Sequence, residues 1–231
     1  MRADILQPNY LPWLGCFDQI YRSDIFVFYD DVQYDKHGWR NRNKIRCKNS
    51  WQWLTVPVLT KGRLGELISE KEIDNSVDWR RKHWGAIRQN YAKAPYFQKY
   101  SPFFEEVYSR GWIRLVDLNI AIIKMISNLL GIKTNFVRSS ELGVSGKGTE
   151  RLIKICQKIK ADSLLEGAVG ENYIEKDKFR EAGIKLIYHN YKHPVYSQQF
   201  NPFIPYMSVI DLLFNCGEES LSILRGKREE D

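Results

Sequence analysis

Paired cysteines are missing from this chain. Cys16, Cys47, Cys156 and Cys216 stand far apart, and no CxxC or Cys/His pair has zinc spacing. That argues against a disulfide framework and offers no metal motif. Reduced thiols point to the cytoplasm. Cys156 falls on the apolar side of a helical pattern and Cys216 follows an apolar run, so both read as small buried hydrophobes. Long apolar runs are missing too. The most apolar stretch, Leu118 to Leu130, contains Asn119, Lys124, Ser127 and Asn128 and is too short and polar to span a bilayer. Near the N-terminus, Gln7, Pro8, Asn9 and Pro12 interrupt any signal-peptide core. What the chain has in excess is positive charge, +7 with a pI near 9.1. That balance favours an anionic partner: a nucleotide, a nucleotide sugar, nucleic acid or a membrane surface. Charge alone does not choose among them.

The pattern of elements is that of an α/β protein. Ala3 to Leu6 is a short apolar start suited to a first strand. Gln7 to Gly15 is a loop stiffened by two prolines, and Gly15 to Arg22 suits a helix. Ile25 to Tyr29 is a continuous apolar run, the mark of a strand buried on both faces. Val32 to Arg46 is polar and loop-like, and Trp51 to Val58 suits another strand. Helical spacing covers Trp79 to Tyr91, Tyr100 to Tyr108 and Trp112 to Leu130, with Gly131 as a stop. Strands are predicted at Thr134–Val137, Ser163–Leu165 and Ile184–Tyr188. Helices are predicted after Thr149, over Ile174–Ala182 and over Ser208–Phe214. Alternation over 3–38 and 134–188 predicts a mostly parallel, Rossmann-like sheet with crossover helices. The expected organisation is a single domain over 1–231, with residues about 79–131 as a helical annex. The charged tail from Gly226 is expected to fray.

Five segments could carry chemistry. The Gln7–Gly15 loop leaves the first strand at its carboxyl end, where open α/β sheets bind ligands. Gln7 and Asn9 supply amides there, and Tyr10 and Trp13 supply stacking faces. Asp30 and Asp31 end a buried strand just before Gln33. Like charges that close can raise one pKa and make a general base or a metal ligand. Arg40, Asn41, Arg42 and Asn43 offer guanidinium forks suited to phosphate or carboxylate. The Gly143–Thr149 loop, with Lys147, Gly148 and Arg151, is not a Walker A motif. Only two residues, where four are needed, separate Gly143 from its Gly-Lys pair, and Gly148 takes the Ser/Thr position. An anion-binding loop or an ordinary capped loop both remain open, with Thr149 as N-cap. His193 is a candidate acid–base group, and Ser208 most simply caps the last helix.

These segments resemble the WbqC-like family. Gln7 to Phe17, Asp24 to Gln33 and Trp39 to Asn43 look like its N-terminal signature, continued by Trp53 to Pro57. Gly148 to Leu152, Gly170 to Tyr173, Gly183-Ile184, His193-Pro194 and Ser208 to Gly217 look like its C-terminal half. Cys16 departs from the family, which often carries an aromatic there. The family is bacterial and archaeal and is associated with surface-polysaccharide (O-antigen) biosynthesis. The resemblance implies a transferase that places an acyl or aminoacyl group, such as glycine, on a nucleotide-linked sugar. Arg40, Arg42 and the Gly143–Thr149 loop would then hold phosphates, Asp30 or Asp31 would be the base, and Tyr10 and Trp13 would stack on a ring. A more distant similarity is to nucleotidylyltransferase-like folds such as pantothenate synthetase. Those hold ATP with histidines in the first loop, and none is present here. That absence counts against ATP use, and an ATP-dependent ligase or nucleotidylyltransferase is kept as one alternative. A single-stranded nucleic-acid-binding protein using the Arg40–Lys48 basic loop with Trp51 and Trp53 is another. A small anionic substrate is the expected partner and a membrane is not. The cofactor and the oligomeric state stay open.

Overall fold

The computed structural model describes residues 1–226; residues 227–231 of the charged tail lie outside the described residues. Strands β1 (Arg2–Leu6) and β2 (Ile25–Phe28) pair in parallel. Strands β3 (Arg42–Arg46) and β4 (Trp51–Thr55) form a separate antiparallel hairpin. Strands β5 (Asn135–Arg138), β6 (Ser163–Gly167) and β7 (Lys185–His189) complete a five-stranded parallel sheet of order β5-β2-β1-β6-β7. The chain builds outward from β1 to β2 and β5, then crosses back to place β6 on the other side of β1. This doubly wound order opens a crevice at the carboxyl ends of β1 and β6, where such sheets bind ligands.

The helices are α1 (Leu14–Tyr21), α2 (Trp79–Tyr91), α3 (Phe97–Ser109), α4 (Leu115–Leu129), α5 (Gly148–Lys158), α6 (Lys176–Glu181), α7 (Val209–Cys216) and α8 (Ser220–Arg225). Alternation along the strands sorts them into two layers. Ala3, Ile5, Val27 and Leu164 pack with Leu152, Ile155 and Phe179 of α5 and α6. Phe26 and Phe28 face the other way, into a larger core with Phe17, Ile87, Phe104, Ile122 and Phe214. Helices α2–α4 thus share one core with a face of the sheet. Among the described residues, no helix is long and apolar enough to cross a membrane.

Two expectations need correction. The stretch 32–46 is not all loop, because Arg42–Arg46 is strand β3. Its sequence, Arg-Asn-Lys-Ile-Arg, has one apolar side chain and no alternation to mark it. Pairing with β4 makes the strand, with Lys44 opposite Trp53 and Arg46 opposite Trp51. The Ser208 hydroxyl does cap the last predicted helix, accepting from the Ile210 amide at 3.5 Å, but a further short helix, α8, follows it.

Candidate functional site

A cavity of about 580 Å³ opens at the carboxyl ends of β1, β2 and β6. Its volume lies within the usual range for small-molecule sites. Gln7 enters from the end of β1, Asp31 and Gln33 from beyond β2, and Arg40 from the segment before β3. The opposite wall is Lys147, Gly148 and Arg151, at the N-terminus of α5. Three cationic side chains and a helix N-terminus therefore face one space, an arrangement suited to an anion.

Backbone contacts knit the first two segments together. The Arg40 carbonyl accepts from the Tyr10 amide at 3.2 Å and from Asn119 Nδ2 at 2.8 Å. The same Asn119 amide reaches the Pro8 carbonyl at 3.0 Å. Asn119 is fully buried on α4, so the helical layer clamps the loop. Arg40 donates to Asn9 Oδ1, and burial lowers its pKa from the usual guanidinium value.

The acid that stands out is Glu166, at the end of β6. It is 7% exposed, lines the cavity, and among the described residues takes two hydrogen bonds, both on Oε1: from the Gly167 amide at 3.1 Å and the Tyr173 hydroxyl at 3.3 Å. Burial pushes its carboxyl up to about 7, against the lowering effect of those two bonds. Asp4, on the adjacent strand β1, is held well above the usual carboxylate range by burial and then by the charge of Glu166. Its Oδ2 is buried without a partner among the described residues. Gly170 packs directly against Glu166; a Cβ there would sit 2.3 Å from Glu166 Cγ.

The aspartates at the end of β2 are placed differently. Asp30 is fully buried and saturated. Its Oδ1 accepts from Ser139 Oγ at 3.2 Å and the Ser140 amide at 3.1 Å; its Oδ2 accepts from Arg138 Nε at 2.7 Å and Ser140 Oγ at 2.9 Å. It pins the turn after β5 and has no face on the cavity, which corrects its reading as a base. Asp31 does line the cavity, but it is tied to Arg151 through Oδ2 and to Ser139 Oγ at 2.5 Å through Oδ1. Arg151 also donates to the Asp31 carbonyl at 3.2 Å and lies over the Tyr29 ring at 5.1 Å.

A family model described as the WbqC-like protein family matches residues 7–223. This chain belongs to that family. It is 37% identical over 230 residues to the uncharacterized protein Rv1507c of Mycobacterium tuberculosis, covering 99% of each chain. No solved structure matches.

Several residues singled out in this WbqC-like sequence lie elsewhere. Tyr10 is fully buried, its hydroxyl 2.8 Å from His83 Nδ1 and 2.5 Å from the Tyr108 hydroxyl, so it offers no stacking face. Asn41 donates to the Val56 carbonyl at 2.9 Å and closes the open end of the hairpin, while Asn43 donates to the Leu11 carbonyl at 2.6 Å and ties the hairpin to the first loop. Arg42 reaches the His37 carbonyl at 3.1 Å and lies over Trp53 at 4.8 Å, on the hairpin. Thr149 is not the N-cap: Lys147 holds that position and α5 begins at Gly148. The Thr149 hydroxyl instead accepts from the Glu175 amide at 3.1 Å. His193 has both ring nitrogens engaged, Nδ1 with the Pro194 carbonyl at 2.8 Å and Nε2 with the Tyr206 amide at 3.1 Å. It lies among aromatics, outside the cavity lining, and this corrects its acid–base assignment. Trp13 and Asn9 face a second, smaller groove.

Sequence reasoning missed Glu166, Tyr29 and Tyr173. Glu166 is a charged residue inside an apolar strand segment, Ser-Leu-Leu-Glu-Gly, and that intrusion was the available signal.

Proposed function

We propose that this chain is a group-transfer enzyme that moves an acyl or aminoacyl group onto an amino or hydroxyl group of a nucleotide-linked sugar. The observation carrying this reading is a buried carboxyl, Glu166, raised to about 7 inside a cationic cavity where the strand order reverses. A base poised near neutrality is what proton removal from a nucleophile needs. Arg40, Lys147, Arg151 and the α5 N-terminus hold the phosphates. Glu166 takes the proton of the acceptor NH or OH as its nitrogen or oxygen bonds to the carbonyl carbon of an activated donor, a thioester or acyl phosphate. The donor's leaving group then departs with the electron pair of the broken bond and receives that proton. Asp31 acts as a positioning residue by orienting Arg151.

A thermal-shift screen of nucleotides, nucleotide sugars and acyl-coenzyme A tests the reading. A nucleotide sugar at a hundred times its Kd should stabilise the protein by about 2.7 kcal/mol. Lys147→Ala, at an exposed position, should weaken that binding without unfolding the chain. Stabilisation by ATP with Mg²⁺ and not by nucleotide sugars would favour an ATP-dependent ligase or nucleotidylyltransferase in the same cavity. No response to any anionic ligand would sink the proposal.

A further inference from the structure

Beside the cation-lined cavity lies a second groove of about 390 Å³, bounded by Trp13, Trp39, Tyr206, Asn9 and Lys44. Asn9 belongs to this groove, while Arg40, its hydrogen-bond donor, belongs to the cavity. That one contact is a partition shared by the two spaces.

The aromatic wall is built to hold its shape. Trp13 lies on Gly15, the second residue of α1, so closely that a Cβ there would meet the indole at 2.3 Å. His193 stacks with Trp13 at 6.4 Å and 14°, and contacts Tyr206 edge-on at 4.9 Å. His193 Nε2 accepts the Tyr206 amide at 3.1 Å. Tyr206 itself has φ 60°, a conformation that bulky residues rarely take and that clusters at ligand clamps. Its side chain is nevertheless 56% exposed, and Trp39 across the groove is 45% exposed. Three large aromatics gathered around one groove, two of them well exposed, mark it as a contact surface.

The chemistry of the groove narrows what that is. Lys44 Nζ lies over Trp51 at 4.3 Å and over Trp53 at 5.3 Å, and Arg42 lies over Trp53 at 4.8 Å. Trp51 and Trp53 meet edge to face, at 84°. Lys44 and Arg42 thus lie against ring faces, and those rings do not form a flat series. A single strand of nucleic acid needs the reverse: free faces in succession and cations along the backbone. Trp13, Trp39 and Tyr206 instead line a space together with the side-chain amide of Asn9. Weakly polarised C–H groups of a sugar ring suit the negative faces of aromatics, and ring hydroxyls suit amides. We infer that this groove is a carbohydrate subsite that takes neutral sugar residues, distinct from the cation-lined cavity and independent of what that cavity transfers.

The test titrates the full chain with a panel of neutral oligosaccharides, namely chito-, cello- and manno-oligomers, and reads intrinsic tryptophan fluorescence. At least one should give a saturable change. Trp39→Ala and Tyr206→Ala, both at exposed positions, should each weaken it about tenfold or more. Gly15→Ala should weaken it by pushing Trp13 into the groove. Thermal stabilisation by inorganic pyrophosphate, a probe of the cavity, should be unchanged by Trp39→Ala and lost in Lys147→Ala. Sugar binding should survive Lys147→Ala, so that failure of either site is told apart from failure of the other. The inference is overturned if no sugar saturates, or if sugar binding persists unweakened in both aromatic variants. A single-stranded oligonucleotide that binds with steep salt dependence and is lost in Trp39→Ala would also overturn it.

Discussion

The carboxyl end of β2 and the carboxyl end of β6 each present acid to the same crevice, with opposite physical outcomes. After β2, Asp30 is met by an arginine, two serine hydroxyls and a backbone amide, and Asp31 by an arginine and a serine. After β6, Glu166 is met by burial, one tyrosine and one amide. Partners turn a carboxylate into a structural fastener. Burial with few partners turns it into a group that exchanges its proton near neutrality. Two acids adjacent in sequence are thus the weaker chemical candidates, and one acid surrounded by leucine and glycine is the stronger.

Substitutions at the two ends test this contrast directly. Glu166→Gln should cut turnover of the substrate identified by ligand screening by ~10²–10⁴-fold, with melting behaviour kept; full activity would end the assignment. Asp30→Ala should orphan the Ser140 amide and hydroxyl, while Arg138 keeps Asp117 at 3.3 Å. It should cost about 1–3 kcal/mol of stability, the usual effect of leaving buried donors unpaired, measured by denaturant unfolding. Loss of activity without loss of stability would instead return Asp30 to the chemistry.

A third effect is pH-dependent. Glu166 has a folded pKa raised from 4.5 to about 7. Its stabilising contribution is complete below the unfolded value and is lost as pH rises through about 7. The span corresponds to on the order of 3 kcal/mol. His83 acts with the opposite sign, because burial pushes it down from 6.5 to about 4; its contribution is present above 6.5 and is lost as pH falls toward 4. The comparison that isolates Glu166 is therefore wild type against Glu166→Gln. The variant should not lose stability between pH 5 and 8 as wild type does, and superimposable curves would refute the raised pKa. The smallest effect is expected of Gly170→Ala, which displaces the Glu166 side chain without removing it. Turnover should fall about tenfold and the pH midpoint of kcat/KM should shift, whereas the same change at exposed Gly111 should do neither.

Much of the architecture was legible in the residues. Ile25–Phe28 reads as a buried strand because all four residues are apolar, and α4 reads as a helix because its apolar residues recur on one stripe and end at Gly131. Strand β3 was not legible, since a polar segment becomes a strand only when a partner meets it. The cavity was half legible: Gln7, Asp31, Gln33, Arg40, Lys147 and Arg151 were all named and do line it, but Tyr10 and Asp30 went to the interior.

Order of residues alone determined where the strands of the central sheet and most helices form and that charged and amide groups leave the sheet at its carboxyl edge, because hydropathy period and turn chemistry are local. Only the tertiary structure decided which acid is fastened and which is poised. Asp30 meets Arg138 across 108 positions and Asp31 meets Arg151 across 120. The pKa of a carboxyl depends on who arrives beside it and how much water is left, and neither is written within its own segment.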